Sequence, residues 1–151
     1  MTDPTVPRLD APARRMLWGG ASGAALLVAI IVVHYAYMVV YGALRPHLAA
    51  AAYPAHARAS GPYVALVVGL LGGVAISYRV GLFARAETAR VMAYMVGGFV
   101  ALDVLLLAMA GEPPEWAVVA TWAAVAASTV VGGRLAARRL AREAHPGGTG
   151  R

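Results

Sequence analysis

The chain has 151 residues, of which 60% are apolar and 13% charged. A soluble domain carries roughly 45–50% apolar and about 25% charged residues, so an ordinary soluble enzyme, a disordered tail and a secreted scaffold are all excluded in favour of a membrane protein. The net charge of +6 would suggest nucleic acid in a soluble chain, but the arginines here flank apolar runs, and the expected partner is the lipid bilayer with its anionic headgroups. No cysteine is present, which removes disulfides, thiolate metal sites, iron–sulfur clusters and thiol catalysis. Lys, Asn and Gln are also absent.

Residues 1–15 are polar and rich in proline, and are expected to form a flexible tail. The transmembrane domain is expected over 16–140. Its first span, 17–44, would reach ~42 Å at 1.5 Å per residue, more than a ~30 Å hydrocarbon core. Trp18 and Tyr41 sit where interfacial aromatics belong. Arg14–Arg15 ahead of an apolar run has the form of a twin-arginine signal. A signal core spans only about 7–15 residues, so an uncleaved first span is expected.

The segment 45–62 reads as the longest connection, with a run of alanines, His47, His56 and a Gly61–Pro62 turn signal. The second span is expected at 63–83, the third at 91–110 and the fourth at 116–135. Arg79 lies near one end of the second span, from where it can snorkel to the interface. The third span carries Asp103 as its one charged residue. The tail 141–151 is expected to be disordered, after an amphipathic continuation bearing Arg134, Arg138 and Arg142.

Arginines cluster in the first tail, around 79–90 and after 134, while the connection after the third span carries two Glu. The positive-inside rule then places both termini in the cytoplasm. The expected fold is an all-α, up-down-up-down bundle of four transmembrane helices in a bacterial inner membrane. Headgroup contacts are expected from Arg14, Arg15, Arg85, Arg90, Arg138, Arg139 and Arg142.

Inside lipid, apolar burial does not drive helices together, so small residues that let backbones approach matter more. Spacing-four ridges occur at Gly19 and Gly23, at Gly69 and Gly73, at Ala89, Ala93, Gly97 and Ala101, and at Ala120, Ala124, Ser128, Gly132 and Ala136. Each span also holds a Gly-Gly pair, as a duplicated two-helix unit would. Composition alone explains those pairs as well, since the chain has 17 glycines.

Asp103 is the most informative residue, because a carboxylate near the bilayer centre costs about 2.5–3.5 kcal/mol on insertion scales. His34 is its natural partner: counted from the outer ends, the two lie ~15 and ~10 Å deep. His34, Tyr37 and Tyr41 share a helix face, and Thr121 lies near the outer end of the fourth span. These five residues form the candidate polar site. It reads either as a proton-linked or ligand site or as a hydrogen bond that fixes helix register.

No metal or cofactor is expected. His47 and His56 lack a supporting carboxylate, and a haem would find only His34 within the membrane. No nucleophile–base pattern or phosphate loop appears. Small multidrug-resistance pumps rely on a Glu in the first span, and fluoride channels on Asn and paired Phe. Here every Glu lies outside the spans and there is no Asn.

Two functional classes remain. One is a non-catalytic accessory, assembly or scaffold subunit, joined to other membrane proteins as a homo- or hetero-oligomer. The other is a homo-oligomeric transporter or channel using His34 and Asp103. An enzyme ranks third, because the candidate acid–base pair has no visible substrate-binding partner.

Overall fold

A computed structural model describes residues 11–84 and 87–144, with side chains from Ala13 onward. Four helices account for nearly all of it: α1 (Ala11–Leu44), α2 (Ala52–Ala84), α3 (Thr88–Ala110) and α4 (Trp116–Ala144). All four are long and apolar enough to cross a membrane. Large apolar side chains such as Trp18, Leu71, Phe83 and Met109 point outward, which suits a surface facing lipid rather than water. This is the architecture of a multi-pass membrane protein. Residues 1–10, Arg85 and the tail from 145 onward lie outside the described residues.

Each helix is longer than its apolar core. α1 starts at Ala11, inside the segment expected to be a tail. Pro12 falls in its first turn, where an amide N–H would have no partner and proline costs nothing. α2 departs most from expectation. It starts at Ala52 and runs through Pro62, so the connection shrinks to 45–51 and the expected turn at Gly61–Pro62 is helical. Membrane helices tolerate an internal proline where neighbours re-satisfy the backbone. Here the first turns of α2 are clamped to α1 by ring contacts of Tyr53 and His56, and that tertiary contact outweighs the local turn signal.

α3 ends in a Schellman motif. Gly111 takes φ 70°, its N–H bonds to Ala108 O at 3.2 Å, and the Glu112 N–H bonds to Leu107 O at 3.0 Å. The left-handed conformation favours glycine, and Pro113–Pro114 then prevent the helix from resuming.

Around the bundle, α1 packs on α2 and α3, and α4 packs on α2 and α3, while α1 and α4 barely touch. The closest approaches are made where glycine removes a Cβ. A methyl group on Gly23 would lie 2.7 Å from Phe99 N, and one on Gly98 would lie 2.8 Å from Gly20 Cα. A methyl on Gly132 would lie 2.5 Å from Val74 O and would also strike Ser77. The register is plain from these pairs. Gly19 meets Val91 and Gly23 meets Phe99, while Gly69 meets Val125 and Gly81 meets Ala136. Residue numbers therefore rise together along α1 and α3, and along α2 and α4. Leu26, Leu27, Ile30, Met95, Phe99 and Val125 fill the centre.

Of the small-residue ridges, the stretch of α4 from Ser128 through Gly132 to Ala136 is buried. The α3 ridge is turned the other way. Ala89, Ala93, Gly97 and Ala101 are all exposed, and a methyl group on Gly97 would meet nothing within 4 Å.

These contacts set opposite costs for two glycines. Gly132→Leu should destabilise the fold by about 1–3 kcal/mol or more, since overpacking forces backbones apart. Gly97→Ala should stay within about 0.5 kcal/mol of the parent. Thermal unfolding in one detergent reads both, and equal effects would contradict the packing described.

Candidate functional site

The five candidate residues divide between three places. On α1, helical spacing puts His34, Tyr37 and Tyr41 on one face, and that face meets the first three turns of α2. The His56 ring stacks on Tyr41, with ring centroids 3.7 Å apart and planes 12° apart. His56 Nε2 and the Tyr37 hydroxyl share a hydrogen bond of 2.9 Å, whose direction follows the imidazole tautomer. Tyr53 meets Tyr41 edge to face at 6.2 Å, and its hydroxyl donates to Arg45 O at 2.9 Å. Aromatic pairs of this kind contribute roughly 0.5–1.5 kcal/mol beyond the area they bury. The cluster thus fastens the ends of α1 and α2 on either side of a short connection.

His34 belongs to the same interface, one step further along. Its Nε2 lies 3.4 Å from the Ser60 hydroxyl, which also approaches Met38 Sδ at 3.9 Å. Gly61 makes room for the ring, since a methyl there would lie 3.3 Å from His34 Cε1. Beside this cluster an open groove of about 600 Å³ is lined by Tyr37, His56, Ser60, Tyr63 and several valines. Its walls offer hydroxyls and one imidazole but no carboxylate.

Asp103 sits elsewhere, between α3 and α4. Its Oδ2 accepts a hydrogen bond of 2.7 Å from the indole N–H of Trp122. Among the described residues no ion pair joins it to His34, whose partner is Ser60. Thr121 is buried, and its hydroxyl donates to Ala117 O at 3.0 Å within its own helix. A methyl group on Gly69 would lie 3.9 Å from Thr121 Cγ2. Other buried hydroxyls are likewise satisfied by nearby backbone, Ser128 by Val125 O at 2.9 Å and Ser77 by Val74 O at 3.2 Å. Among the described residues, Thr129 Oγ1 is buried without a hydrogen-bond partner.

Tyr53, Ser60 and Trp122 were not singled out from the sequence, and His56 was weighed only as a metal ligand. A signal was present. Tyr53, His56 and Ser60 are spaced three and four apart, as one helix face requires, but the Gly61–Pro62 signal hid that helix. Trp122 carries the indole N–H nearest in depth to Asp103 on the neighbouring span.

No group of three or more potential metal ligands comes together among the described residues. His47 lies in the short connection 45–51, and His56 is engaged with tyrosines.

The arginines also separate. Arg15 pairs with Glu87. Arg139 pairs with Glu143 at 2.8 Å and donates from Nη1 to the Tyr78 hydroxyl at 3.0 Å. The Tyr78 bond first, and Glu143 second, hold the Arg139 guanidinium above its usual range. Arg14, Arg90, Arg138 and Arg142 are exposed. Comparison with known protein families, curated proteins and solved structures finds no match.

The geometry predicts which polar pairs are coupled. Asp103→Leu combined with Trp122→Phe should depart from additivity by about 0.5–2 kcal/mol, as interhelical hydrogen bonds in membranes do. Asp103→Leu combined with His34→Ala should be additive within about 0.5 kcal/mol. Double-mutant cycles on unfolding in detergent decide between these, and strong coupling of His34 to Asp103 would contradict the geometry.

Proposed function

We propose that the chain is a non-catalytic accessory or assembly subunit of a bacterial inner-membrane complex, with an up-down-up-down topology and both termini in the cytoplasm. One observation carries this reading. α3 presents Ala89, Ala93, Gly97 and Ala101 as an exposed ridge. Such a surface lets a neighbouring helix approach backbone to backbone, which is the main source of attraction between helices in lipid. The occupant is an apolar helix of another membrane protein.

Further features agree with this assignment. The interior is held by direct backbone contacts such as Gly23 on Phe99 and Gly98 on Gly20. The contact register supports the alternating topology, and the arginine distribution supports the orientation.

The competing reading is a homo-oligomeric transporter or channel built on His34 and Asp103. What favours it is the carboxylate itself, since ionisable groups within spans are functional by default. It would require a second copy to bring the α1–α2 cluster and the α3–α4 pair onto one pathway.

Native mass spectrometry after mild detergent extraction tests the proposal. A complex with different chains at fixed stoichiometry is expected. Gly97→Leu should release those chains while leaving the protein's own thermal stability within about 0.5 kcal/mol of the parent. A homo-oligomer unaffected by Gly97→Leu, with activity abolished by Asp103→Asn, would overturn the subunit reading in favour of transport.

A further inference from the structure

A second groove, of about 490 Å³, opens where the first turns of α1, the end of α2 and the start of α3 converge. Its wall is apolar and aromatic, made by Trp18, Val80, Phe83 and Val91. Its rim carries Arg14, Arg15, Arg79 and Glu87. Three guanidinium groups against one carboxylate leave a formal surplus of +2 (3 − 1). Arg15 is engaged by Glu87. Arg14 and Arg79 form no ion pair among the described residues.

The two halves of this groove make different demands. Arg14 and Arg79 call for an anion. Trp18 is 66% and Phe83 84% exposed, so both call for an apolar cover. A soluble anion would meet the first demand and leave the aromatics uncovered. A neutral lipid would cover the aromatics and leave the surplus charge unmatched. Planar guanidinium groups suit phosphate oxygens, which they can bind in pairs. On the topology proposed above, the groove faces the cytoplasmic leaflet, where anionic lipids are concentrated.

We propose that this groove is a binding site for one anionic diacyl phospholipid, its phosphate held by Arg14 and Arg79 and an acyl chain laid along Trp18, Val80 and Phe83. The proposal rests on the membrane reading of the four helices but not on the accessory-subunit assignment. Glu87 tempers the site by occupying Arg15. The arginines farther along α4, Arg138 and Arg142, are exposed and do not line this groove, and they make only general contact with anionic headgroups.

The test is native mass spectrometry of the delipidated full chain, titrated with phosphatidylglycerol, with phosphatidylcholine of the same acyl chains, and with inorganic phosphate. One phosphatidylglycerol per chain should bind at least tenfold more tightly than phosphatidylcholine. Each arginine near the membrane surface contributes about fivefold to anionic-lipid binding, so Arg14→Gln with Arg79→Gln should weaken phosphatidylglycerol binding by about 25-fold. Glu87→Gln should tighten it by releasing Arg15, and keeps the proposal testable if the double variant does not fold. Arg138→Gln should change it by less than about twofold. Equal binding of the two lipids would overturn the site while leaving the membrane reading intact. Uptake of neither lipid would likewise overturn the site. Inorganic phosphate binding as tightly as phosphatidylglycerol would remove the acyl-chain half of the proposal.

Discussion

Lipid tails are as apolar as leucine, so burying side chains gains little when four apolar helices come together in a bilayer. What remains is close contact, and close contact requires the removal of side-chain atoms. The structure is organised by this constraint. α1 meets α3 at Gly19, Gly20, Gly23 and Gly98, and α2 meets α4 at Gly69, Gly73, Gly81 and Gly132. Bulky residues fill the centre only between these lines of contact, as Phe99, Leu26 and Met95 do. The same constraint explains why so many large apolar side chains face outward. Acyl chains cover them, whereas a small-residue ridge turned outward has close helix contact still to make.

The polar groups follow from that packing. Backbones pressed together leave little room for a polar chamber, so the hydroxyls of Thr121 and Ser128 return to their own helix, and that of Ser128 also reaches Gly69 O at 3.3 Å. Other polar groups pair across helix interfaces. The histidines and tyrosines of α1 and α2 tie those helices together beside their short connection. Asp103 meets Trp122 between α3 and α4. At the opposite ends, Arg15 meets Glu87, and Arg139 reaches Tyr78. Each contact joins two helices, which assigns these residues a part in fixing register before any further role.

Much of this was legible in one dimension. Apolar runs give the number of helices, and the glycine after Met109–Ala110 marks the end of α3. Three features were not legible, for related reasons. The residues 45–62 read as a loop because Gly61–Pro62 is a strong local breaker, yet the stacking of His56 on Tyr41 that holds that helix is a long-range contact. Depth arithmetic brought His34 and Asp103 to similar levels, but depth says nothing of direction around the bundle, and the two face different neighbours. Spacing of four marks a stripe of small residues without saying whether it points in or out. The α4 stripe around Gly132 is buried and the α3 stripe through Gly97 is exposed.

Glycine contacts outweigh apolar burial only in lipid, so the packing requires each helix to cross the bilayer. Topology reporters fused within 49–52 and after Arg142 test that premise directly. Signals from opposite sides of the membrane, with the Arg142 fusion cytoplasmic, are the predicted result. Signals from the same side would contradict the four-span arrangement and, with it, the parallel pairing of α2 and α4.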